Sequence, residues 1–271
     1  MVRIIAFLAG LGFCVALLIA AFTPRDAVEE TAAELFHKEH KEVSFTSDGP
    51  FGKFDRPQLQ RGLQVYKEVC AACHSLRLVR FNDLTEIGYT AGQVKTFAAE
   101  FQVPSVNPDT GEAASRPGLA SDNFPLPYAN DIAGRAANNG AVPPDLSLMT
   151  KAREGHAAYT YSLLTGYQNV PANLPKDSRP DKTHYYNPYF ASLNIAMPPP
   201  LTTAGQVTYG PGNPPASVDQ MAKDVTAFLI WTAEPKLENR HRAGVASLIF
   251  LLIFAGLCWG SYKSIWANKP H

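Results

Sequence analysis

The sequence has few cysteines and no surplus of charge, and both shortages narrow the functions it can have. Only 4 cysteines occur in 271 residues, and Cys14 and Cys258 lie inside long apolar runs. The other two cannot supply the several spaced pairs that a disulfide framework requires. The 24 basic residues balance the 24 acidic residues, and no dense cluster of lysine and arginine occurs. This distribution argues against a nucleic-acid-binding protein.

Long regular elements are also scarce in the middle of the chain. The sequence has 22 prolines and 19 glycines, and they are crowded between Val103 and Pro215. Because both residue types interrupt helices and strands, this region is predicted to be rich in loops, which include 103–130 and 166–216.

Helices are predicted on both sides of this region and within it. Asp55 is a candidate N-cap for the first helix, and Ser217 with Gln220 forms a predicted capping box for the last. In both, apolar residues recur three and four positions apart, which is typical of a helix with one buried face. A charged linker, 236–242, follows the last helix. The predicted helices of the soluble region are 55–69, 81–101 (broken around Gly88 and Gly92), 151–165 and 217–233.

Two apolar runs are long enough to cross a membrane. Residues 243–262 contain no charged side chain, and aromatic residues lie at the far end of the run, as in membrane interfaces. Two basic residues lie just beyond each end, so the positive-inside rule gives no orientation. The run Ile4–Phe22 follows Arg3 and is typical of an export signal, either cleaved or kept as an anchor. In both cases the residues after Phe22 are exported, and the second run returns the tail to the cytoplasm.

One short motif combines two thiols and an imidazole. Cys70, Cys73 and His74 form a Cys-x-x-Cys-His pattern at the end of the first predicted helix. Two thiols at this spacing can add to the two vinyl groups of a haem, and the following histidine then lies beneath the iron. The pattern predicts one covalently attached haem c. Attachment takes place outside the cytoplasmic membrane, which agrees with the predicted export.

Other interpretations of the motif are weaker. A redox-active dithiol is usually found in a βαβ context, and no such context is predicted. A structural zinc site needs two more ligands. His37 and His40 are the nearest candidates, but their distance along the sequence is unfavourable. A coincidental pair of buried cysteines is the remaining alternative.

Met197 is the candidate sixth ligand of the iron. It lies in a proline-braced loop, which can hold a weak thioether ligand in place, and the alternative is a methionine that fills an apolar gap. Arg153 has the geometry to bind a haem propionate, although an arginine at such a position is more often an exposed helix charge. The predicted domains are 1–22 (signal sequence or N-terminal membrane segment), 23–240 (haem c domain), 243–262 (transmembrane anchor) and 263–271 (cytoplasmic tail).

From Phe51 to the C-terminal anchor, the chain resembles the cytochrome c1 family, the haem c subunits of quinol:cytochrome c reductase (the cytochrome bc1 complex). The resemblance is carried by an ordered series of motifs. They are FDRPQLQRG (54–62), CAACHS (70–75), AANNGAVPPDLS (136–147), SLLTGY (162–167), YYNPYF (185–190), IAMPP (195–199) and QMAKDV (220–225).

The resemblance implies a fold and a set of site residues. The fold is mainly α, a class I cytochrome c-like haem domain with long loop insertions and a C-terminal transmembrane helix. Met197 becomes the expected axial ligand, and Arg153 a propionate contact. Some family members carry an additional disulfide, for which no cysteines remain here. The implied lining of the haem pocket is Asn138, Ala141, Pro143, Pro144, Tyr159, Leu163, Phe190 and Ile195.

The resemblance also implies a role in electron transfer. The chain would pass electrons from the Rieske iron–sulfur protein to a soluble or membrane-tethered cytochrome c, as a subunit of an oxidoreductase rather than a catalyst alone. Cytochrome b and membrane lipid are further expected partners, in a dimeric complex of the bacterial inner membrane with the haem domain in the periplasm. Asp109, Glu112, Asp122 and Asp131 form a candidate negative patch for a basic partner.

Three alternatives stay open at this point. One is a membrane-tethered cytochrome that works alone, which usually has a simpler haem domain and a long flexible linker. Another is a haem enzyme or sensor with an open sixth site on the iron. A purely structural membrane protein, without covalent haem, is the third.

Overall fold

The computed structural model describes residues 2–23, 31–267 and 269, and helices dominate it. The α-helices in these residues are α1 (Val2–Phe22), α2 (Ala32–Phe36), α3 (Arg56–Val65), α4 (Ala91–Ala99), α5 (Asp131–Ala137), α6 (His156–Leu164), α7 (Val218–Ala233) and α8 (Leu237–Trp266). The shorter elements are a π-helical turn (Tyr66–Cys70), 3-10 turns (Phe81–Ile87 and Lys176–Ser178) and the strands β1 (Gln102–Val106), β2 (Ala113–Pro117), β3 (Tyr185–Tyr186) and β4 (Asn194–Ile195). The prediction of a mainly α protein is confirmed.

Helices α3 and α7 cross at close range and form the centre of the soluble domain. Gly62 in α3 permits the crossing, because a Cβ atom there would lie 2.1 Å from the carbonyl oxygen of Asp224 in α7. Beside it, Arg61 donates from Nε and Nη2 to the Asp224 carboxylate at 2.9 and 3.1 Å. Asp224 is fully buried, so this two-pronged ion pair satisfies its charge. The helix that leads into the Cys-x-x-Cys-His motif is therefore firmly held.

Asp55 and Ser217 cap α3 and α7, as predicted. Asp55 Oδ1 accepts a hydrogen bond from the backbone N–H of Gln58 at 3.3 Å, and Ser217 Oγ accepts one from Gln220 at 3.0 Å. The Gln220 side chain does not return to Ser217 but donates to Asp224 Oδ1 at 2.8 Å. The predicted capping box is wrong in this half, because the buried carboxylate needs donors and takes the amide.

Glycines set the bounds of two of the predicted helices. The stretch 81–101 divides into a 3-10 turn and α4 and breaks at Gly88, as predicted, because its φ of 101° is accessible mainly to glycine. No break occurs at Gly92, which lies inside α4. The stretch 151–165 becomes helical only at His156, after Gly155 with a φ of 76°. In both cases a left-handed glycine sets a boundary of the helix.

The loop-rich region is mostly irregular, but it contains two small antiparallel sheets. β1 pairs with β2, with Gln102 opposite Pro117, and β3 pairs with β4. The prediction of a loop over 103–130 is therefore wrong for this hairpin. Most of its side chains are exposed, so no apolar–polar alternation marks its strands in the sequence.

Two helices, α1 and α8, are long and apolar enough to span a membrane by length and composition. Their apolar side chains are exposed along both helices. α8 begins at Leu237, so most of the predicted charged linker, 236–242, is helical. Glu238 explains why, because it accepts hydrogen bonds from Arg56 Nη2 and from the Phe54 backbone N–H, each at 2.8 Å. The charges at the start of α8 thus attach it to the soluble domain.

Candidate functional site

The Cys-x-x-Cys-His motif occupies a tight turn that continues from α3. The last turn of this helical segment widens to π geometry, with the Ala71 N–H donating to the Tyr66 carbonyl at 2.8 Å. The Cys70 carbonyl then accepts from the N–H groups of both Cys73 and His74, at 3.1 and 2.9 Å. Both thiols are free and half-buried. Interruptions of this type are frequent at functional sites, and this one presents two thiols and an imidazole from one rigid segment.

The His74 ring has a defined orientation. Its Nδ1 lies 2.8 Å from the carbonyl oxygen of Pro144, which can only accept, so Nδ1 carries the proton. Nε2 is thereby left with its lone pair, as a metal ligand requires. Burial lowers the pKa of His74, against the opposing effects of the Pro144 hydrogen bond and of Asp145, and this favours the neutral ring.

Asp145 holds the Pro144 segment against the motif. Its carboxylate accepts from Ser75 Oγ at 2.7 Å, from the Arg77 N–H at 2.9 Å and from the Ser147 N–H at 3.0 Å. Burial raises the pKa of Asp145, but these hydrogen bonds outweigh it and keep the pKa below its usual range. Sequence reasoning missed this residue, although it directly follows the two prolines of a quoted motif.

Tyr66 also supports the motif and was likewise missed as a site residue. Its hydroxyl donates to the His74 carbonyl at 2.9 Å, and its ring is buried against Phe228 of α7. Burial raises the pKa of Tyr66, so it remains a donor. In the predicted helix 55–69, the spacing of the apolar residues indicates only that Tyr66 belongs to the core.

Met197 is half-buried just beyond β4. The hydroxyl of Tyr167, which follows α6, donates to the Met197 carbonyl at 3.0 Å. Burial raises the pKa of Tyr167, so this donor is also retained. Gly166, which precedes Tyr167, lies against the Tyr189 ring, because a Cβ atom at Gly166 would lie 2.3 Å from that ring. Among the described residues, no hydrogen bond joins Met197 or Tyr167 to His74 or to the residues that hold it.

Arg153 and Tyr159 lie beside each other at the start of α6. Arg153 is exposed, and its Nη1 donates to the Ala152 carbonyl at 3.0 Å. Burial raises the pKa of Tyr159, while the nearby Arg153 guanidinium acts to lower it. The Tyr159 ring meets the ring of His40 edge-on, with centroids 5.5 Å apart.

The other predicted lining residues fall into two groups. Asn138 and Ala141 form one, around a turn in which the Ala141 N–H donates to the Asn138 carbonyl at 2.9 Å. The second group is organised by Asn187, a fully buried residue that sequence reasoning missed: its Nδ2 donates to the Leu163 carbonyl at 2.8 Å, and its carbonyl accepts from the Phe190 N–H at 3.0 Å. Asn138, Ala141, Pro143, Tyr159, Leu163 and Phe190 are half-buried, Pro144 is exposed and Ile195 is buried.

The donor chemistry of these residues fits a haem c. Two thiols and a neutral imidazole with a free Nε2 stand together on one turn, and a thioether and a guanidinium are the further groups such a cofactor uses. Within 2–23, 31–267 and 269, no group of three or more His, Cys, Asp or Glu is arranged to hold a metal ion. The zinc alternative therefore gains no further ligands there.

One suggestion about the surface needs correction. Asp122 was assigned to a negative patch, but it forms an ion pair with Arg116 at 2.6 and 3.0 Å and accepts from the Leu119 N–H at 2.7 Å. Its charge is thus balanced within the chain, and sequence alone does not show such pairing.

Residues 45–269 match the Cytochrome C1 family. The chain belongs to the cytochrome c1 family. It is 41% identical over 235 residues to a cytochrome c1 of Rhodospirillum rubrum, covering 82% of this chain and 86% of the relative. It is 44% identical over 243 residues to the mitochondrial cytochrome c1 heme protein of Saccharomyces cerevisiae, covering 88% and 74%. A "Cytochrome b/c1" of Bradyrhizobium diazoefficiens is 46% identical over 239 residues, and the match spans 82% of this chain but only 34% of that relative.

Cytochrome c1 homologues are the haem-carrying electron-transfer subunit of the cytochrome bc1 complex, and they bind a single covalent haem c. The predicted family, fold class, electron-transfer role and cofactor are therefore confirmed at the level of the family. Membership also implies a complex with cytochrome b and the Rieske protein. Together with the apolar helix α8, the bacterial relatives indicate a membrane-anchored protein.

Proposed function

We propose that this chain carries electrons from a Rieske iron–sulfur protein to a soluble or membrane-tethered cytochrome c, within a dimeric quinol:cytochrome c reductase. The observation that carries the proposal is the Cys-x-x-Cys-His turn, in which the Pro144 carbonyl leaves Nε2 of His74 available to a metal. Such a turn specifies an attached cofactor, the face on which it lies and its proximal ligand.

Each site residue has a role in this proposal. Cys70 and Cys73 would hold the haem through two thioether bonds, each formed when one thiol adds its sulfur and hydrogen across one vinyl group, while His74 and Met197 would be the ligands of the iron. Burial raises the pKa of Cys70 to about 12, so it is a neutral thiol before attachment. Arg153 binds a propionate, and the pocket lining excludes water: Asn138, Ala141, Pro143, Pro144, Tyr159, Leu163, Phe190 and Ile195. The haem supplies the one-electron couple, whose potential a thioether ligand raises.

The supports around the two axial ligands suit electron transfer. The Tyr66 hydroxyl binds the His74 carbonyl, and Asp145 holds the Pro144 segment against the Cys-x-x-Cys-His turn. The Tyr167 hydroxyl binds the Met197 carbonyl. A ligand set that moves little between oxidation states lowers the reorganisation needed for each electron. No residue has to act as a general acid or base.

We also propose an arrangement of the chain across the bacterial inner membrane. Residues 1–22 direct export, 23–240 form the haem domain in the periplasm, 243–262 cross the membrane in contact with lipid, and 263–271 lie in the cytoplasm. Support comes from the site of haem attachment, which is outside the cytoplasmic membrane, and from the uncharged stretch within α8.

The cysteines offer a direct test with a matched control. Cys70→Ala with Cys73→Ala is expected to abolish covalent haem and quinol-dependent reduction of cytochrome c. The control pair, Cys14→Ala with Cys258→Ala, changes the two exposed cysteines of α1 and α8 and should retain both signals. The readouts are a covalent-haem stain and cytochrome c reduction by tagged protein purified in mild detergent. Covalent haem that persists without Cys70 and Cys73 would refute the assignment.

The same purification separates the proposal from a cytochrome that works alone. Co-purified haem b and iron–sulfur subunits with quinol-dependent activity are expected. A haem-stained protein that purifies alone and is inactive with quinol would support the tethered carrier instead. The ion pair between Glu238 and Arg56 favours the fixed subunit, because it attaches α8 directly to the soluble domain.

A further inference from the structure

His40 lies in a segment that is fastened along α6 and its neighbours. Next to it, the Lys41 N–H donates to Ser162 Oγ at 2.7 Å, and Lys41 Nζ donates to Thr165 Oγ1 at 2.7 Å. Two positions earlier, the Lys38 N–H donates to the Pro188 carbonyl at 2.9 Å. The backbone on both sides of His40 is therefore fixed.

The His40 ring is packed as closely as its backbone. It meets the Tyr159 ring edge-on at 5.5 Å between centroids. It also lies over Gly155, where a Cβ atom would come within 1.9 Å of His40 Cδ2 and 2.3 Å of Nε2. Gly155 thus leaves room for the imidazole, and its φ of 76° adds a second reason for glycine there.

One nitrogen of the His40 ring lacks a hydrogen-bond partner among the described residues. His40 Nδ1 is buried, and no group of the described residues forms a hydrogen bond with it. A buried polar atom left without a partner loses its hydrogen bonds to water without replacement, so native proteins rarely keep one. A closely packed imidazole with such an atom points to a ligand that completes it.

The surroundings select an anionic acceptor. Arg153 and the Tyr159 hydroxyl lie at the adjoining start of α6 and are both donors, and His37 of the same segment has its ring centroid 6.4 Å from that of His40. Two further titratable residues lie at this start: Glu154 is exposed, and His156 Nδ1 lies 3.1 Å from the Thr150 carbonyl. The other charged residues flanking His40 are Glu39, which is exposed, and Lys41, which binds Thr165. His40 and Arg153 both adjoin Tyr159, and the three side chains offer donors of the kind that a carboxylate accepts.

We infer that His40 is a positioning residue that donates from Nδ1 to a haem propionate, beside Arg153 and Tyr159. The inference rests on the proposed function, which supplies the propionate. A donor to this carboxylate offsets its negative charge and so favours ferrous over ferric haem.

The test measures the haem midpoint potential in the purified full-length complex. With His40→Leu, the ferrous-to-ferric equilibrium should shift at least threefold toward ferric, which is about 28 mV for a one-electron couple. His40→Gln keeps an N–H donor and should restore most of the potential. His184→Leu, at a histidine that binds Asp181 in another loop, is the control and should match the wild type.

The possible outcomes separate the inference from the proposed function. A wild-type protein without covalent haem would refute the proposed function. A haem-loaded His40→Leu protein with the wild-type potential would refute only the inference. If His40→Leu does not fold, the wild type and His40→Gln decide, through the propionate bending band in resonance Raman spectra. A difference in this band between the two proteins supports the inference, because the donor to the propionate has changed, and an identical band in both overturns it.

Discussion

Replacing Asp145 by alanine should loosen the proximal side of the haem site more than any single change in the surrounding loops. Its carboxylate accepts three hydrogen bonds of 2.7 to 3.0 Å, two of them from residues just after His74. The Leu146 N–H adds a further link, to the Ser75 carbonyl at 2.9 Å. Without the carboxylate, the hydrogen bonds left between the two segments in the described residues would be this backbone bond, the contact of the His74 ring with the Pro144 carbonyl, and one from the Leu78 N–H to Ser147 Oγ at 3.2 Å.

The expected cost follows from these contacts. Hydrogen bonds to a charged group contribute about 1.5–3 kcal/mol each, but bonds that share one acceptor are not additive. Because Asp145 is only half-buried, we expect Asp145→Ala to lower the free energy of unfolding by about 3 kcal/mol. Asp145→Asn keeps one carbonyl oxygen, so it should cost about half as much.

Denaturation in urea, followed by the Soret absorbance of the detergent-solubilised protein, measures this change. Asp109→Ala is the control, since Asp109 is an exposed residue of the hairpin turn and its carboxylate accepts no hydrogen bond within the described residues. The Asp145 variant should also change the midpoint potential, because the Pro144 carbonyl no longer fixes the His74 ring. A difference of less than about 0.5 kcal/mol between Asp145→Ala and the control would refute the reasoning.

Three further predictions concern other parts of the molecule. Tyr167→Phe removes the hydroxyl that binds the Met197 carbonyl, so it should lower the free energy of unfolding by about 1 kcal/mol. It should also speed the exchange of the thioether ligand for added imidazole, which the visible spectrum measures. An unchanged exchange rate would contradict this prediction. Gly62→Ala places a Cβ atom 2.1 Å from a carbonyl oxygen of α7, so it should lower the free energy of unfolding by about 1–3 kcal/mol. A stability equal to that of the wild type would mean that α3 and α7 can move apart without cost. The Arg116 hydrogen bond, helped by a backbone N–H, lowers the pKa of Asp122 to about 2, so the stability it adds is present above about pH 4 and is lost as the pH falls toward 2. Asp122→Asn should remove this acid-sensitive part, which proteolysis of the hairpin against pH would reveal, and identical profiles would count against the ion pair.

The features that could be predicted from the sequence are those that depend on residues a few positions apart in the chain. The apolar periodicity of α3 and α7, the caps Asp55 and Ser217, and the Cys-x-x-Cys-His motif all act within a few residues of the chain. The exposed β1–β2 hairpin carries no such pattern. The helical start of α8 depends on a distant partner, since Glu238 binds Arg56.

The candidate site divides in the same way. Cys70, Cys73 and His74 followed from chemistry at fixed spacing, whereas the pocket residues needed the resemblance to a family. Asp145 was missed because its partners lie about seventy positions earlier in the sequence. Asn187 was missed because nothing nearby in the sequence shows that it is buried.

The unbroken course of α8 gives the anchor a mechanical meaning. A continuous helix turns by about 100° and advances about 1.5 Å with each residue. One alanine inserted after Ala243 would therefore rotate the lipid-facing part about its axis, relative to a soluble domain held by Glu238 and Arg56. The number of residues between that ion pair and the bilayer therefore determines the rotational orientation of the soluble domain about the axis of α8. It thus determines which face of the domain meets its neighbours above the membrane.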